Sequence, residues 1–280
     1  MERMAITMIS DNLGLHDVSS WTVDPVPLAG RYRKIQLLHR QRKYIIKFAE
    51  YRQNGEEVPY QVSEYVAGRI LKSLGYDVQE VAMAIYYDQP VCLIETFNKP
   101  LITFEGFGTS TLSGENLLYD LDILHELFPE GKYSGNFSEY VWDTFLCDAF
   151  IHNLDRHPNN WGFYKENNMY TRAPLIDCAS SLYSLHAMKP DKMHDIESWI
   201  LRFGKSAIHY KGERTTFQKI LTSENSEQFK LSASKFKTSL ATIDYSCLTH
   251  VTRYWPQYGP YIDFLHKFLE RQVEWFVKNI

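Results

Sequence analysis

Asp155 and Asn160 stand five residues apart in the stretch HNLDRHPNNWGF, residues 152–163, and Asp177 follows seventeen residues after Asn160. This trio has the chemistry that phosphoryl transfer requires. One carboxylate must orient an acceptor hydroxyl, and further oxygen ligands must hold the Mg²⁺ that bridges nucleotide phosphates. An Asp-x-x-x-x-Asn loop supplies both, with Asp155 for the hydroxyl and Asn160 for the metal. Asp177, at the end of APLID, supplies a second metal ligand. The spacing alone is common by chance. The order is more specific: apolar helix, loop, hairpin, then aspartate.

The same loop carries His152 and His157, which could ligate Zn or Fe beside Asp155. No third His or Cys stands at ligand spacing, and a loop containing Pro158 does not hold its side chains on one face as an HExxH helix would. The histidines are therefore expected to brace the backbone.

The first hundred residues add charged groups where aliphatic ones belong. Lys47 ends the apolar strand YIIKF, where it could reach nucleotide α/β-phosphates. Glu64 lies near the start of the following helix, within range to pair with Lys47, although a solvated surface role is the alternative. LAGRYRK is a glycine-poor phosphate loop: Gly30 is its one glycine, and Arg31, Arg33 and Lys34 could meet phosphate by charge or form an exposed basic turn. Glu95, Thr96 and Phe97, after the fourth strand, are expected to form a hinge offering backbone groups to adenine.

These residues need elements to position them. The pattern predicts strands at Ile35–Leu38 and Tyr44–Phe48, joined by a basic turn, then a loop broken at Asn54-Gly55. Val62, Tyr65, Val66, Ile70, Leu71 and Leu74 recur at helical spacing, with Gly75 as a stop. Two more strands follow, broken at Asp88-Gln89-Pro90. Beyond Phe97 the pattern predicts a helix starting at Ser113 and a strongly apolar helix over NFSEYVWDTFLCDAFIHN. A hairpin then pairs Trp161–Lys165 with Thr171–Ile176 around Glu166-Asn167-Asn168. From Met188 onward it predicts helices, including a solvated helix pair over the polar segment 205–240, and a final amphipathic helix. The fold class is α+β in two lobes, divided near residues 97–98: a small β-rich lobe with one main helix, and a larger helical lobe.

Composition limits the alternatives. The 280 residues are 44% hydrophobic and 23% charged, enough apolar material for a core without a disulfide or metal staple. The net charge of −4 lacks the polycation signature of a nucleic-acid or membrane binder. No window approaches the ~18 apolar residues of a membrane span. Cys92, Cys147, Cys178 and Cys247 form no CxxC pair, which favours a reducing, cytoplasmic setting. No signal-peptide run opens the chain, and secretion by another route is not addressed by the sequence.

Taken together, DAFIHNLDRHPNNWGF…APLIDCASSLY, YIIKF and SEYVAGRILKSLGYDVQEV resemble the HipA-like serine/threonine kinases of bacteria, most closely the short, CtkA-like members without HipA's added N-terminal domain. The resemblance covers roughly residues 28–185 and implies a protein-kinase-like fold, ATP and Mg²⁺ as cofactors, and a Ser/Thr protein substrate, the chain itself included. By analogy Asp155 matches the catalytic aspartate, Asn160 and Asp177 the Mg²⁺ ligands, Lys47 the nucleotide lysine, Glu64 the helix glutamate, and Glu95 to Phe97 the hinge. Asn153 and His157 would brace the loop, with Trp161 and Gly162 as packing residues.

Two departures stand out. HipA's N-terminal domain has no counterpart ahead of the phosphate loop, so an antitoxin-like partner has no support in the sequence. HipA-type kinases are switched by autophosphorylation of a serine near that loop, and PVPLAGRYRK holds no Ser or Thr. Two other functions stay open: a nucleotide-binding pseudokinase or scaffold, favoured by the sparse glycine, and a phosphatidylinositol-type lipid kinase, which shares DRHxxN.

Overall fold

The computed structural model describes residues 15–26, 28, 32–103, 133–187, 195, 196, 198, 200, 204–211 and 213–280. The expected helix from Ser113 lies outside them, as do Gly30 and Arg31.

A six-stranded sheet forms the small lobe, from β1 (His16–Asp17), β2 (Thr22–Asp24), β3 (Lys34–His39), β4 (Arg42–Lys47), β7 (Val81–Tyr86) and β8 (Gln89–Glu95), in the order β1-β7-β8-β4-β3-β2. Only β1–β7 is parallel. The short strands β5 (Glu50–Tyr51) and β6 (Glu57–Val58) pair beside it. Strand periodicity decides what each face carries. Leu37, Tyr44, Ile46, Val91 and Leu93 pack together on the outer face. Ile45 and Lys47 alternate with them and face inward.

The turns explain the registers. Arg40-Gln41, Tyr87-Asp88 and Asn167-Asn168 all have positive φ at both positions, the geometry that tight two-residue hairpins require. The strand break expected at Asp88-Gln89-Pro90 thus begins one residue earlier, at Tyr87-Asp88. Gln89 and Pro90 already belong to β8, with Pro90 opposite Ile85.

Helix α1 (Tyr60–Ser73) is buried between the sheet and the large lobe. Helix α2 (Phe137–Ile151) is apolar nearly all round, with Asn136 capping its start by accepting from the Glu139 N–H, so it forms the centre of the large lobe. Its last carbonyls are not left orphaned: the Gln272 side-chain amide donates to the Ala149 and Phe150 carbonyls at 3.0 and 2.9 Å. Gln272 belongs to α6 (Gly259–Asn279), the expected amphipathic C-terminal helix.

After α2 come β10 (Gly162–Glu166) and β11 (Met169–Arg172), and β10 pairs also with β9 (Ile102–Thr103). The hairpin's second strand therefore ends earlier than expected, and Ala173–Ile176 runs on as an irregular link to Asp177. The polar segment 205–240 departs more. It opens with a hairpin, β12 (Lys205–Tyr210) and β13 (Glu213–Thr216), before α3 (Phe217–Ser223) and α4 (Glu227–Ser239). Ser206, Ile208 and Tyr210 are the buried alternate positions of β12, a period-2 signal too short and polar to register against helical spacing. Helix α5 (Ser246–Tyr254) packs on α1 and leads into α6.

The contact of α1 with β7 is close. A Cβ at Gly68 would lie 2.7 Å from Cγ2 of Val81. Ala in a helix interior ordinarily gains about 0.5–1 kcal/mol over Gly. Overpacking against a stiff β-branched side chain costs about 1–3 kcal/mol. Gly68→Ala should therefore lower the urea midpoint, and Val81→Ala in the same chain should recover part of the loss. A midpoint raised by Gly68→Ala alone would contradict this packing.

Candidate active site

Lys47, at the end of β4, has its ammonium between two carboxylates. Its Nζ donates to Glu64 of α1 at 3.0 Å and to Asp177 at 2.7 Å. Glu64 is 3% exposed and also accepts from the backbone N–H of Cys178. Burial would push the Lys47 ammonium down, but the two carboxylates overrule it and hold it above its ordinary range. Burial opposes ionisation of Asp177 as well. There Lys47, with Lys34 and Arg156 further off, wins and holds the carboxyl below its ordinary range. Both groups are therefore charged at neutral pH.

A cleft of about 710 Å³ opens beside this pair. Lys34, Ile45, Lys47, Ile94, Thr96 and Phe97 line it from the small lobe, and Asp155, His157, Asn160 and Asp177 from the large one. The chain distances are large, yet the four polar residues singled out for phosphoryl transfer share one cavity. Lys34 stands opposite Lys47 in the β3–β4 ladder. Burial, then the neighbouring Lys47 charge, pushes the Lys34 ammonium down.

Asp177 has φ of +54°, in the left-handed region that aspartate tolerates better than most residues. Leu182 and Tyr183 share that conformation and are held there by hydrogen bonds. The Leu182 N–H donates to the Ile151 carbonyl, the Leu182 carbonyl accepts from the Tyr261 hydroxyl, and the Tyr183 hydroxyl meets Nδ1 of His152 at 2.7 Å.

His152 ends α2 in a left-handed turn and is buried, with Phe217 and Phe268 against its ring. Burial pushes its pKa down to about 3, so it is a neutral packing group remote from the cleft lining. Among the described residues, no three His, Cys, Asp or Glu side chains cluster as a metal cage.

Other expected residues fall differently. The Arg33 guanidinium lies over the Phe48 ring, 4.1 Å from its centroid, and donates to Gln89 at 3.3 Å, which keeps it out of the cleft lining. The Glu95 carboxylate pairs with Arg42 at 3.0 Å. Its backbone is engaged too: the N–H donates to Glu80 and the carbonyl accepts from Gln79. The Thr96 N–H and hydroxyl both donate to the Lys43 carbonyl. Trp161 is buried edge-on to Tyr140. A Cβ at Gly162 would meet Leu101 at 2.8 Å and Ala173 at 3.1 Å, so both residues pack.

Of the residues holding the loop, Asn153 was expected as a brace, whereas spacing does not reveal Asp148 and Arg156. Asp148, on the buried face of α2, accepts from Nε and Nη2 of Arg156, both at 2.8 Å, and from the Asn153 amide at 2.9 Å. The Asn153 amide oxygen in turn accepts from the Asp155 N–H. The remaining Arg156 nitrogen, Nη1, donates to the carbonyls of Asn160 at 2.6 Å and Ile176 at 2.9 Å. One buried guanidinium thus fixes α2, the loop and the residue before Asp177 together. Two aspartates, Asp143 and Asp148, on a largely apolar helix, DTFLCDAFIHN, were the signal available in sequence.

The HipA-like C-terminal domain model matches residues 26–227. The chain belongs to the HipA-like C-terminal domain family. A curated relative, the serine/threonine-protein kinase CtkA of Helicobacter pylori (strain J99), is 32% identical over 168 residues, covering 54% of this chain and 50% of that protein. The match thus spans half the length of that relative. The crystal structure of a Helicobacter pylori proinflammatory kinase, CtkA, superposes with a TM-score of 0.79 at 22% identity, over 95% of this chain and 98% of that one. The HipA-like chain therefore has the two-lobed protein-kinase-like α+β fold.

Removing one partner of a buried ion pair costs about 3–5 kcal/mol. Arg156→Ala should destabilise by that order in urea unfolding, and Arg156→Lys, which keeps charge but loses the forked contacts, should fall between it and wild type. An Arg156→Ala chain as stable as wild type would remove the anchoring role.

Proposed function

We propose that this HipA-like chain transfers the γ-phosphoryl group of ATP to a Ser or Thr hydroxyl of a protein, with Mg²⁺. The observation that carries this reading is the Lys47 ammonium bridging Glu64 and Asp177 at the wall of a cleft that Asp155 and Asn160 also line. Residues 1–97 form the nucleotide lobe and 98–280 the helical lobe in this reading. No helix among the described residues is long and apolar enough to cross a membrane, and the proposed substrate is a polypeptide.

The donor set suits a hard cation. Asn160 spends its amide nitrogen on the Asp155 carbonyl at 2.9 Å, which leaves its oxygen for a ligand, and Asp177 gives one oxygen to Lys47 and keeps the other. Asn160 and Asp177 would hold the metal. When bound, ATP with Mg²⁺ supplies the phosphoryl group and the neutralising charge. Lys47, with Lys34 opposite, attracts phosphate oxygens. Thr96 and Phe97 line the small-lobe side of the cleft, where their backbone would meet the adenine. Asp155 accepts the hydroxyl proton of the acceptor and orients its oxygen. Little covalent work falls to the protein, so catalysis rests on positioning and charge.

Incubation with γ-labelled ATP, Mg²⁺ and a generic protein acceptor tests this. Wild type should label the acceptor. Asp155→Asn should reduce labelling by about the 10²–10⁴-fold typical of losing a general base, with nucleotide affinity nearly unchanged. Normal nucleotide binding without transfer by wild type would instead make the chain a pseudokinase.

Asp155 also sets a pH dependence. Burial, with the Asp177 carboxylate adding to it, raises its pKa above the ordinary 3.8. The protonated form cannot accept the hydroxyl proton, so kcat/KM should fall as pH drops through a midpoint above 3.8. An acid limb at or below that value would contradict the assigned role.

A further inference from the structure

The nucleotide cleft has a neighbour of nearly the same size. A groove of about 700 Å³ adjoins it at Tyr32, the residue that lines both cavities. Val58 and Tyr60 are its buried lining, and they cluster with Ala179, two residues past Asp177. Tyr32 packs on the same cluster, its ring centroid 4.1 Å from that of Tyr60. The rim comes from both lobes: Tyr51, 66% exposed, and Leu185, 39% exposed. Large apolar side chains left open beside a buried apolar lining mark a binding surface. The charged groups of the groove are already engaged. Arg52 donates to the Leu185 carbonyl and pairs with Glu56 at 3.6 Å, and the Glu50 carboxylate accepts from the Arg33 N–H. Recognition here is therefore chiefly by aromatic and aliphatic contact.

The groove also lies on the acceptor side of the cleft. The Tyr32 hydroxyl and Oδ2 of Asp155 are joined through one hydroxyl, that of Ser180, at 3.1 and 3.5 Å. That span is roughly two residues of extended chain. The rim offers main-chain groups as well. Arg52 is hydrogen-bonded to Glu56 across the β5–β6 pair, so by alternation the N–H and carbonyl of Tyr51 face away from β6. An outward-facing strand edge beside side-chain pockets is how an extended peptide is bound.

We propose that this groove seats the acceptor polypeptide, in extended form, through an aromatic or branched aliphatic side chain a few residues from its Ser or Thr. The inference rests on the kinase reading above and deepens it by naming the substrate class. Tyr51 and Leu185 select the side chain, and Tyr32 separates it from the nucleotide. An acceptor with a charged residue at that position meets an apolar lining and loses its hydration without a partner.

The test uses the full chain, Mg²⁺, γ-labelled ATP and Ser-centred peptides in which each flanking position is fixed in turn as Phe, Leu, Ala, Lys or Asp. At one or two positions Phe or Leu should be labelled about tenfold or more over Ala, with Lys and Asp no better than Ala. Tyr51→Ala and Leu185→Ala should each raise KM for the preferred peptide about tenfold, with kcat and nucleotide affinity near wild type. Tyr51→Phe, which keeps the ring, should keep the preference. Peptides labelled without a flanking preference, or a preference that both alanine variants retain, overturn the groove and leave the kinase reading intact. A Tyr51→Ala chain that turns from dimer to monomer in light scattering, with the preference unchanged, overturns it in favour of a second copy of this chain. No label on any peptide, with nucleotide still bound, removes both readings.

Discussion

A lysine ammonium that is 6% exposed between two carboxylates is the constraint from which the rest follows. A buried charge is tolerable only when paired and hydrogen-bonded. Lys47 meets that condition with one partner from α1 and one from the segment after β11. The strand, the helix and the large lobe must therefore stay in register for the charge to remain satisfied. Apolar packing between α1 and its neighbours is non-directional and would permit sliding. The ion triad selects one arrangement, and that arrangement puts Asp177 at the cleft wall.

The large lobe presents its half of the cleft through a second buried pair. Asp148 and Arg156 are each 1% exposed, and their shared hydrogen bonds reach the backbone on both sides of the site. The helix beneath them is itself terminated by Gln272 from α6. The chain of support thus runs from the C-terminal helix through α2 to the loop of residues 153–160. Ser63 of α1 also donates to the Ser181 carbonyl at 2.8 Å, and Gln61 of α1 to the Tyr258 hydroxyl at 2.8 Å. On the α1 side the two lobes are therefore joined by buried polar contacts as well as by the shared core.

Part of the candidate site was legible because several of its residues broke a local pattern. Lys47 interrupts an apolar strand, and Asp155 with Asn160 follows an apolar helix. Those violations of propensity are visible in one dimension. Arg33 illustrates the opposite case. Its charge suggested phosphate, but its guanidinium lies over Phe48, just past β4, and reaches Gln89 of β8, groups distant in the chain that spacing cannot bring to mind. Glu95 pairs with Arg42 for the same reason. The hairpin at residues 205–216 was missed because its alternation lasts only six residues and mixes Ser206 with Ile208 and Tyr210. Arg156 was hidden beside Asp155, since nothing in DRH tells which of its charges turns inward.

The proposed convergence of Lys47, Asn160 and Asp177 on a nucleotide can be measured directly in a crystal structure with Mg²⁺ and a non-hydrolysable ATP analogue. The account predicts metal–oxygen distances of about 2.0–2.1 Å to Asn160 and Asp177, with the Lys47 ammonium on the phosphates. A nucleotide bound away from that lysine, or a metal held by neither side chain, would contradict it.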